Sequence, residues 1–181
     1  MKKHLALIAL CSAAATPALA VERPYIAVDY ELMNYAFKVG AANPEFDVTA
    51  ARLRAGTMLN RWFGVEAHVG MGVDDDTQQM IPGVGTSATT LELNKAYGLY
   101  GVARLPMGRG GLFTYAGYAY VDTEVAIRGF SASQEENGLS YGAGLDIPAP
   151  WGMSLELDYK QVLDEGNLNL TSFGVGLRKN F

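Results

Sequence analysis

The stretch FGVGLRKNF (173–181) ends the chain and alternates between large side chains and small or polar ones. Successive side chains of a β-strand point to opposite faces. One face of this segment would therefore carry Phe173, Val175, Leu177, Lys179 and Phe181. Terminal residues of soluble domains usually fray. An alternating terminus that closes on phenylalanine instead indicates an ordered strand with one apolar face.

The same alternation recurs along the chain. In WFGVEAHVGMGV (62–73), the clearest case, large apolar residues oppose glycines, Glu66 and His68. After residue 20 no apolar stretch reaches the ~18 residues that a membrane-spanning helix needs, and glycine and tyrosine are abundant. These features predict an all-β protein. Its eight alternating runs cover 24–35, 47–58, 62–73, 90–106, 112–127, 138–147, 152–162 and 173–181.

The N-terminal segment MKKHLALIALCSAAATPALA (1–20) has two lysines, a short apolar run and a small-x-small ending. These are the features of a cleaved secretory signal peptide. Cys11, the only cysteine, lies within it, so residues 21–181 form one domain without disulfides. Loss of Lys2 and Lys3 takes the formal net charge from −5 to −7. This acidic balance argues against nucleic acid as a partner.

The links between the runs alternate in length. Short, turn-rich links join runs two and three, four and five, and six and seven. The other four links are predicted to be longer and cover 36–46, 74–89, 128–137 and 163–167. Short turns at one end and longer loops at the other are typical of outer-membrane barrels.

Two arrangements of the apolar faces are possible. A soluble barrel places them inside, whereas a membrane barrel places them outside. The signal segment favours the second, and so do polar faces built from glycines, single charges and a histidine. The predicted fold is therefore an eight-stranded antiparallel up-and-down transmembrane β-barrel with an apolar exterior and a filled polar lumen. An aromatic girdle at the short-turn end is predicted to contain Tyr25, Trp62, Phe63, Phe113, Trp151 and Phe181.

Charged residues are then predicted to face the lumen. An arginine facing lipid at mid-depth costs roughly 2–4 kcal/mol, so Arg52 and Arg54 should point inward. An eight-stranded barrel is just wide enough for side chains to fill it, which favours an ion-pair core; an ion path is the alternative. The predicted network comprises Glu31, Arg52, Arg54, Glu66, His68, Glu92, Arg104, Glu156, Asp158 and Lys160.

In run four, Leu93 is assigned to lipid, and Glu92, on the opposite face, is assigned to the lumen. Run five is less decisive than the others. In run five both faces carry tyrosine, and Asp122 and Glu124 decide which face is taken as polar. The lipid-facing set predicted for that run is Phe113, Tyr115, Ala119, Val121 and Val125.

With its signal segment, eight amphipathic runs and terminal FGVGLRKNF, the chain resembles the small OmpA/OmpX-like outer-membrane barrels of Gram-negative bacteria. NRWFGVEAHVG (60–70) is similar to the first short turn and third strand of that family. The resemblance implies the cell outer membrane, a monomer, and contact with outer-membrane lipid and lipopolysaccharide. It also implies recognition of the last strand by the barrel-assembly machinery, through Val175, Gly176, Leu177 and Phe181. Family members often have an aromatic residue two positions before the end, and this chain has Lys179 there.

Charge differs between the two predicted ends. The long links are acidic, with Glu45, Asp47, Asp74–Asp76, Glu135, Glu136, Asp164 and Glu165. These links are either solvated loops or a surface for divalent cations that bridge lipopolysaccharide. Basic residues gather at the other end, namely Arg23, Arg61, Arg109, Arg178 and Lys179.

No catalytic constellation emerges. Lipid A deacylases of similar size use a serine with a histidine and an acid, but the pattern His-x-Ser-Asn is absent around His68. After residue 20 the chain has one histidine and no cysteine, which leaves essentially only oxygen ligands for a metal, so no metal or other cofactor is expected. The predicted function is a non-enzymatic structural or surface-interaction role. The alternatives are a narrow pore for ions or small solutes, and a lipid A-modifying enzyme.

Overall fold

The computed structural model describes residues 22–37, 45–74, 76–78, 89–127, 130–165 and 168–181. Among these residues, no helix has the length and apolarity to span a membrane. Nearly all of them lie in strands, and one 3-10 turn, Pro150–Gly152, joins two of the strands. The strands are β1 Glu22–Phe37, β2 Glu45–Met58, β3 Phe63–Asp74, β4 Asp76–Gln78, β5 Thr89–Met107, β6 Gly110–Ile127, β7 Phe130–Ala149, β8 Met153–Glu165 and β9 Leu168–Asn180.

The strands close into one antiparallel barrel. The sheet runs β3-β2-β1-β9-β8-β7-β6-β5, and β5 pairs back onto β3, for example at Val69↔Tyr97. The short β4 continues β3 along β5, so the nine segments make eight barrel strands. The terminal strand β9 pairs with β1 from Tyr25↔Asn180 to Phe37↔Leu168. This confirms the predicted eight-stranded fold.

Three tight turns define what we call the turn end of the barrel, which also holds Glu22 and Phe181. In the β2–β3 turn, the side-chain oxygen of Asn60 accepts hydrogen bonds from the backbone N–H groups of Trp62 (2.8 Å) and Phe63 (2.9 Å). The β5–β6 turn uses Gly108 at φ 61°, a conformation that glycine adopts without steric cost. The opposite end of the barrel is called the loop end below.

The prediction of four long links at the loop end is wrong for two of them. β6 continues to Ile127 and β7 begins at Phe130, and β8 continues to Glu165 before β9 begins at Leu168. Polar residues such as Glu135 therefore belong to strands. β6 and β7 contain 18 and 20 residues, although roughly 9–11 tilted residues suffice to cross a membrane. The β6–β7 hairpin is longer than crossing requires.

The outer surface carries an apolar band. On β7, the outward residues from Leu139 to Ile147 are exposed and mostly apolar, and beyond Leu139 the outward face turns polar at Asn137. This segment spans about 27 Å along the strand. A tilt of roughly 35–45° reduces that to about 20 Å, close to the roughly 25 Å height of a lipid-facing band. Tyrosines mark the loop-end border of the band, including Tyr97, Tyr118 and Tyr141.

Glycines on inward faces make room for the lumen's side chains. A Cβ atom at Gly176 would overlap the carboxylate of Asp29, and one at Gly174 would overlap that of Asp158. These two positions in the terminal strand therefore accept only a hydrogen atom unless the carboxylates move. The alternation in FGVGLRKNF serves both faces, with apolar side chains outside and space for charges inside.

Candidate functional site

Two arginines of β2 lie at the centre of the lumen. Arg52 forms ion pairs with Asp29 (3.0 Å), Glu31 (2.9 Å) and Asp158 (2.8 Å). Arg54, the next residue on the same inward face of β2, is fully buried. Because the side chains of residues i and i+2 share one face of a strand, the two guanidinium groups stack along the barrel axis and can both reach Asp29.

Arg54 joins three carboxylates from three strands. Its guanidinium lies 2.7 Å from Asp29, 3.1 Å from Glu66 and 2.6 Å from Glu156. The planar guanidinium group presents five N–H donors in a fixed fork, so one side chain can bridge β1, β3 and β8. Charges in a low-dielectric interior persist only when they are paired and hydrogen-bonded, and Arg54 meets both conditions.

Toward the turn end, Arg104 and Arg178 complete the network. Both approach Glu156, at 2.7 Å and 2.6 Å respectively. Asp146 pairs with Arg178 and lies 3.5 Å from Arg104. The guanidinium group of Arg104 also sits 4.8 Å from the ring centre of Phe113, within the range of a cation–π contact.

Toward the middle of the lumen, Glu31 is the shared acceptor. Lys160 Nζ lies 3.0 Å from Glu31, and the Ser172 hydroxyl donates to the same carboxylate at 3.0 Å. Three cross-strand partners, including Arg52, thus satisfy this buried acid. The contacts bring β1, β2, β8 and β9 together around the seam where the first and last strands pair.

Tyrosines and His68 fill the space beside the charges. The Tyr25 hydroxyl donates to Glu66 at 2.5 Å, and the Tyr115 hydroxyl donates to Asp158. His68 Nε2 lies 2.7 Å from Glu66, and its ring stacks on Tyr100 with 4.1 Å between centroids. The lumen therefore contains aromatic packing as well as ion pairs.

The loop-end half of the lumen is apolar. This layer, absent from the prediction of a wholly polar lumen, contains Met33, Tyr35, Phe46, Val48, Ala50, Leu93, Ala119, Val121, Val162, Leu163 and Leu170. A cavity of about 20 Å³ lies between it and the charges, next to Arg52, His68 and Lys160. It has room for about one water molecule. Charged and apolar layers together fill the barrel.

The structure brings together every residue of the predicted network except Glu92. Arg104 is partly exposed, and the other inward members are buried, namely Glu31, Arg52, Arg54, Glu66, His68, Glu156, Asp158 and Lys160. Glu92 is exposed, and Leu93 is buried instead of facing lipid. A register shift between Leu93 and Lys95 explains both errors, because one inserted residue moves the following side chains to opposite faces.

The predicted girdle is wrong at two positions. Tyr25 is 2% exposed and Phe113 is 3% exposed, and both face the lumen. Tyr115, Ala119 and Val121 were also assigned to lipid, and this is wrong because all three are buried. The side chain of Val125 lies outside the described residues. Trp62, Phe63, Trp151 and Phe181 are exposed at the turn end.

Pairing with glycine could have revealed the inward aromatics. Tyr25 lies opposite Gly56, Tyr115 opposite Gly142, and Phe113 opposite Gly144. A Cβ atom at any of these glycines would clash with its aromatic partner. Asp29, Asp146 and Arg178 were also missed as members of the network, although the alternation already placed them on inward faces.

The site offers little chemistry beyond ion pairing. Among the described residues, His68 bonds to Glu66 and no serine hydroxyl bonds to His68. In the same part of the chain, no group of three or more His, Cys, Asp and Glu side chains is arranged to hold a metal ion. The buried carboxylates are already occupied by arginine, lysine, histidine or tyrosine.

A model of the outer membrane protein beta-barrel domain matches residues 4–181. The chain belongs to this family. No curated protein matches the sequence.

Several solved outer-membrane barrels have a similar structure. The attachment invasion locus protein Ail of Yersinia pestis has a TM-score of 0.62 at 15% identity, covering 88% of this chain and 99% of Ail. Neisserial surface protein A has a TM-score of 0.63 at 13% identity, covering 87% of this chain and 97% of that protein's chain. OprG of Pseudomonas aeruginosa has a TM-score of 0.60 at 12% identity, covering 88% of this chain and 96% of OprG. At these identities the similarity extends to the fold only.

Proposed function

We propose that the chain is a non-enzymatic outer-membrane protein whose filled barrel supports a protruding β-sheet, and that this sheet binds an extended segment of another protein. The observation that carries the proposal is the edge of β7. β7 pairs with β8 only from Tyr141↔Gln161 to Ala149↔Met153. Within the described ranges, residues 130–140 of β7 have no ladder partner on that side.

The other side of the same segment is fully paired. The β6–β7 ladder continues to Ile127↔Phe130, and β5 pairs with β6 as far as Thr89. Residues 130–140 are thus the free edge of a sheet that continues through β6 and β5 to β4. An unpaired strand edge presents a row of backbone donors and acceptors to which another strand can add.

The β6–β7 hairpin projects beyond β8. From the level of the Tyr141↔Gln161 pair, β7 continues for eleven residues to Phe130, whereas β8 continues for four to Glu165. Seven additional residues correspond to about 23 Å of strand. The outward residues beyond the tyrosine border are polar, including Asp122, Glu124 and Glu135. This part of the sheet is therefore suited to water rather than lipid.

Charge narrows the class of partner. Ail has been solved in complex with the heparin analogue sucrose octasulfate, which is a polyanion. Here the protruding sheet carries acidic side chains at Glu92, Glu124 and Glu135, and like charges at an interface oppose association. A neutral or basic extended peptide fits this edge better than a sulfated sugar.

The filled lumen supports this choice over the alternatives. Ion pairs fill one half of the lumen and apolar side chains the other, which disfavours a pore. His68 lacks a serine partner among the described residues, which disfavours a deacylase. The proposal includes cleavage after residue 20, a monomeric barrel, and recognition of the terminal strand by the barrel-assembly machinery.

A random-peptide phage library tests the edge. Selection on the mature protein in lipid nanodiscs is expected to enrich peptides rich in β-branched and aromatic residues. These peptides should slow hydrogen exchange of the amides at 131–140. Enriched peptides that leave this exchange unchanged, or no enrichment above empty nanodiscs, would contradict the proposal.

Two proline variants provide a matched control. Adjacent residues of an antiparallel strand direct their N–H groups to opposite sides, so only one of Gln134→Pro and Glu135→Pro removes a donor from the open edge. That variant should remain folded, because proline is tolerated on edge strands. It should also bind the selected peptides about two- to tenfold more weakly, as expected for one lost hydrogen bond. Unchanged binding in both variants would place the peptide elsewhere.

A further inference from the structure

A groove runs across the outer wall near the turn end, over β3, β5, β6 and β7. Its volume is about 690 Å³, within the range of roughly 300–1,000 Å³ usual for small-molecule sites. Its floor consists of small side chains in cross-strand register, since Ala103 pairs with Thr114 and Thr114 pairs with Ala143. Gly101 and Ala116 form a second small pair beside this row.

Large apolar residues form the walls. Leu105 pairs with Leu112, and Leu112 pairs with Leu145, which makes a ridge on the turn side of the floor. Trp62 and Phe63 close the groove on the β3 side. The groove is thus a trough in the apolar band, open toward lipid and long enough to cross four strands.

A basic recess adjoins the groove. It has a volume of about 310 Å³ and shares Arg104, Leu105 and Leu112 with the groove lining. Arg61 and Arg109 line this recess and are exposed. Across the described part of the chain, no ion pair to a carboxylate involves either of them.

Arg61 connects the two cavities directly. Its guanidinium group lies 5.1 Å from the ring centre of Trp62, and Trp62 lines the groove. An apolar trough therefore ends beside two cations at the membrane border. An anionic phospholipid is complementary to this arrangement, because it joins an apolar chain to an anionic group.

We infer that this site binds an anionic phospholipid from the leaflet at the turn end. One acyl chain lies in the groove over Ala103, Thr114 and Ala143, and the headgroup phosphate contacts Arg61 and Arg109. The occupant follows from charge complementarity and from the lipid environment of the family. This binding is separate from the peptide-binding edge at the loop end and does not depend on it.

Native mass spectrometry tests the site on the mature protein in detergent micelles doped with phosphatidylglycerol or phosphatidylcholine. We expect the wild type to retain one phosphatidylglycerol in preference to phosphatidylcholine. The double variant Arg61→Gln/Arg109→Gln should retain phosphatidylglycerol on the order of tenfold less, because each basic side chain near the surface adds attraction for anionic lipid. Ala143→Phe, which fills the floor of the groove, should reduce retention of both lipids.

Matched controls separate this site from general lipid affinity. Lys95→Gln removes a base at the loop end, and Ala55→Phe adds the same bulk on an exposed face of β2; both should bind lipid as the wild type does. Soluble glycerol phosphate at equal concentration should not displace the lipid, since it lacks the chain. Equal retention by Ala143→Phe or by the arginine variant would overturn the proposal. Disruption of a dimer by Ala143→Phe would also overturn it, by assigning the groove to a second copy.

Discussion

Replacing Arg54 with methionine is expected to lower the free energy of unfolding by about 3–5 kcal/mol, the usual cost of removing one partner from a buried ion pair. Arg54 is 0% exposed and bridges Asp29, Glu66 and Glu156. Methionine has similar bulk but no donors, so these carboxylates would lose their shared cation within a low-dielectric lumen. Denaturant unfolding in micelles, followed by heat-modifiable migration, measures the loss.

Two comparisons make the Arg54 result specific. Leu53→Met changes the adjacent, exposed side chain and should leave the free energy of unfolding nearly unchanged. Adding Asp29→Asn to Arg54→Met should recover part of the loss, because residues of one network couple in double-mutant cycles. A loss below about 1 kcal/mol, the usual worth of an exposed pair, would mean that Arg54 is not a buried cation.

Deleting Phe181 is expected to remove most of the protein from the outer membrane without preventing refolding of purified protein into micelles. The side chain is 70% exposed, and its main contact with the barrel is a backbone hydrogen bond to Pro24 at 2.9 Å. Such a residue adds little to the folded barrel. A strong effect in cells would therefore reflect recognition of the terminal strand during assembly.

Trp151→Ala serves as the matched variant for this deletion. Trp151 is also an aromatic residue at the turn end and is 83% exposed, but it lies in a turn rather than at the terminus. It should assemble normally, as judged by heat-modifiable migration of outer-membrane fractions. Normal assembly of the Phe181 deletion would contradict a terminal assembly signal, and failure of both variants would indicate a general need for interfacial aromatics.

Charge decided which strands could be oriented from sequence. On β2 and β8, Arg52, Arg54, Glu156 and Asp158 alternate with apolar residues. An arginine facing lipid at mid-depth costs roughly 2–4 kcal/mol, whereas apolar residues face lipid without such a cost. The correct orientation follows from that inequality. The glycines of the terminal strand were placed toward the lumen by their alternation with large apolar residues, and both Gly174 and Gly176 are buried.

Where charge did not decide, the sequence was ambiguous. β6 carries aromatic residues on both faces, and its inward set is recognised only through glycines on a neighbouring strand, such as Gly142 opposite Tyr115. On β5, the register shift near Asn94 moved Glu92 outside and Leu93 inside. The position of such an inserted residue is set by the register with the neighbouring strands. The alternation within a single strand carries no information about that register.

The apolar layer at the loop end was also beyond local prediction. Val162, Leu163 and Leu170 lie near the β8–β9 hairpin, where the register of β8 shifts and two adjacent residues become buried. The sequence therefore predicted a polar lumen throughout. The observed division, with ion pairs toward the turn end and apolar packing toward the loop end, leaves the barrel filled by two chemically different layers.

A filled lumen is the central claim, because it directs any interaction to the outer surfaces of the barrel. Single-channel recording of the refolded mature protein in planar bilayers tests it most directly. The packed layers around Arg54 and Leu163 predict no steady open state in the wild type. A steady conductance that changes when Arg52 or Arg54 is replaced would show that ions pass through the charge network, and would contradict the claim.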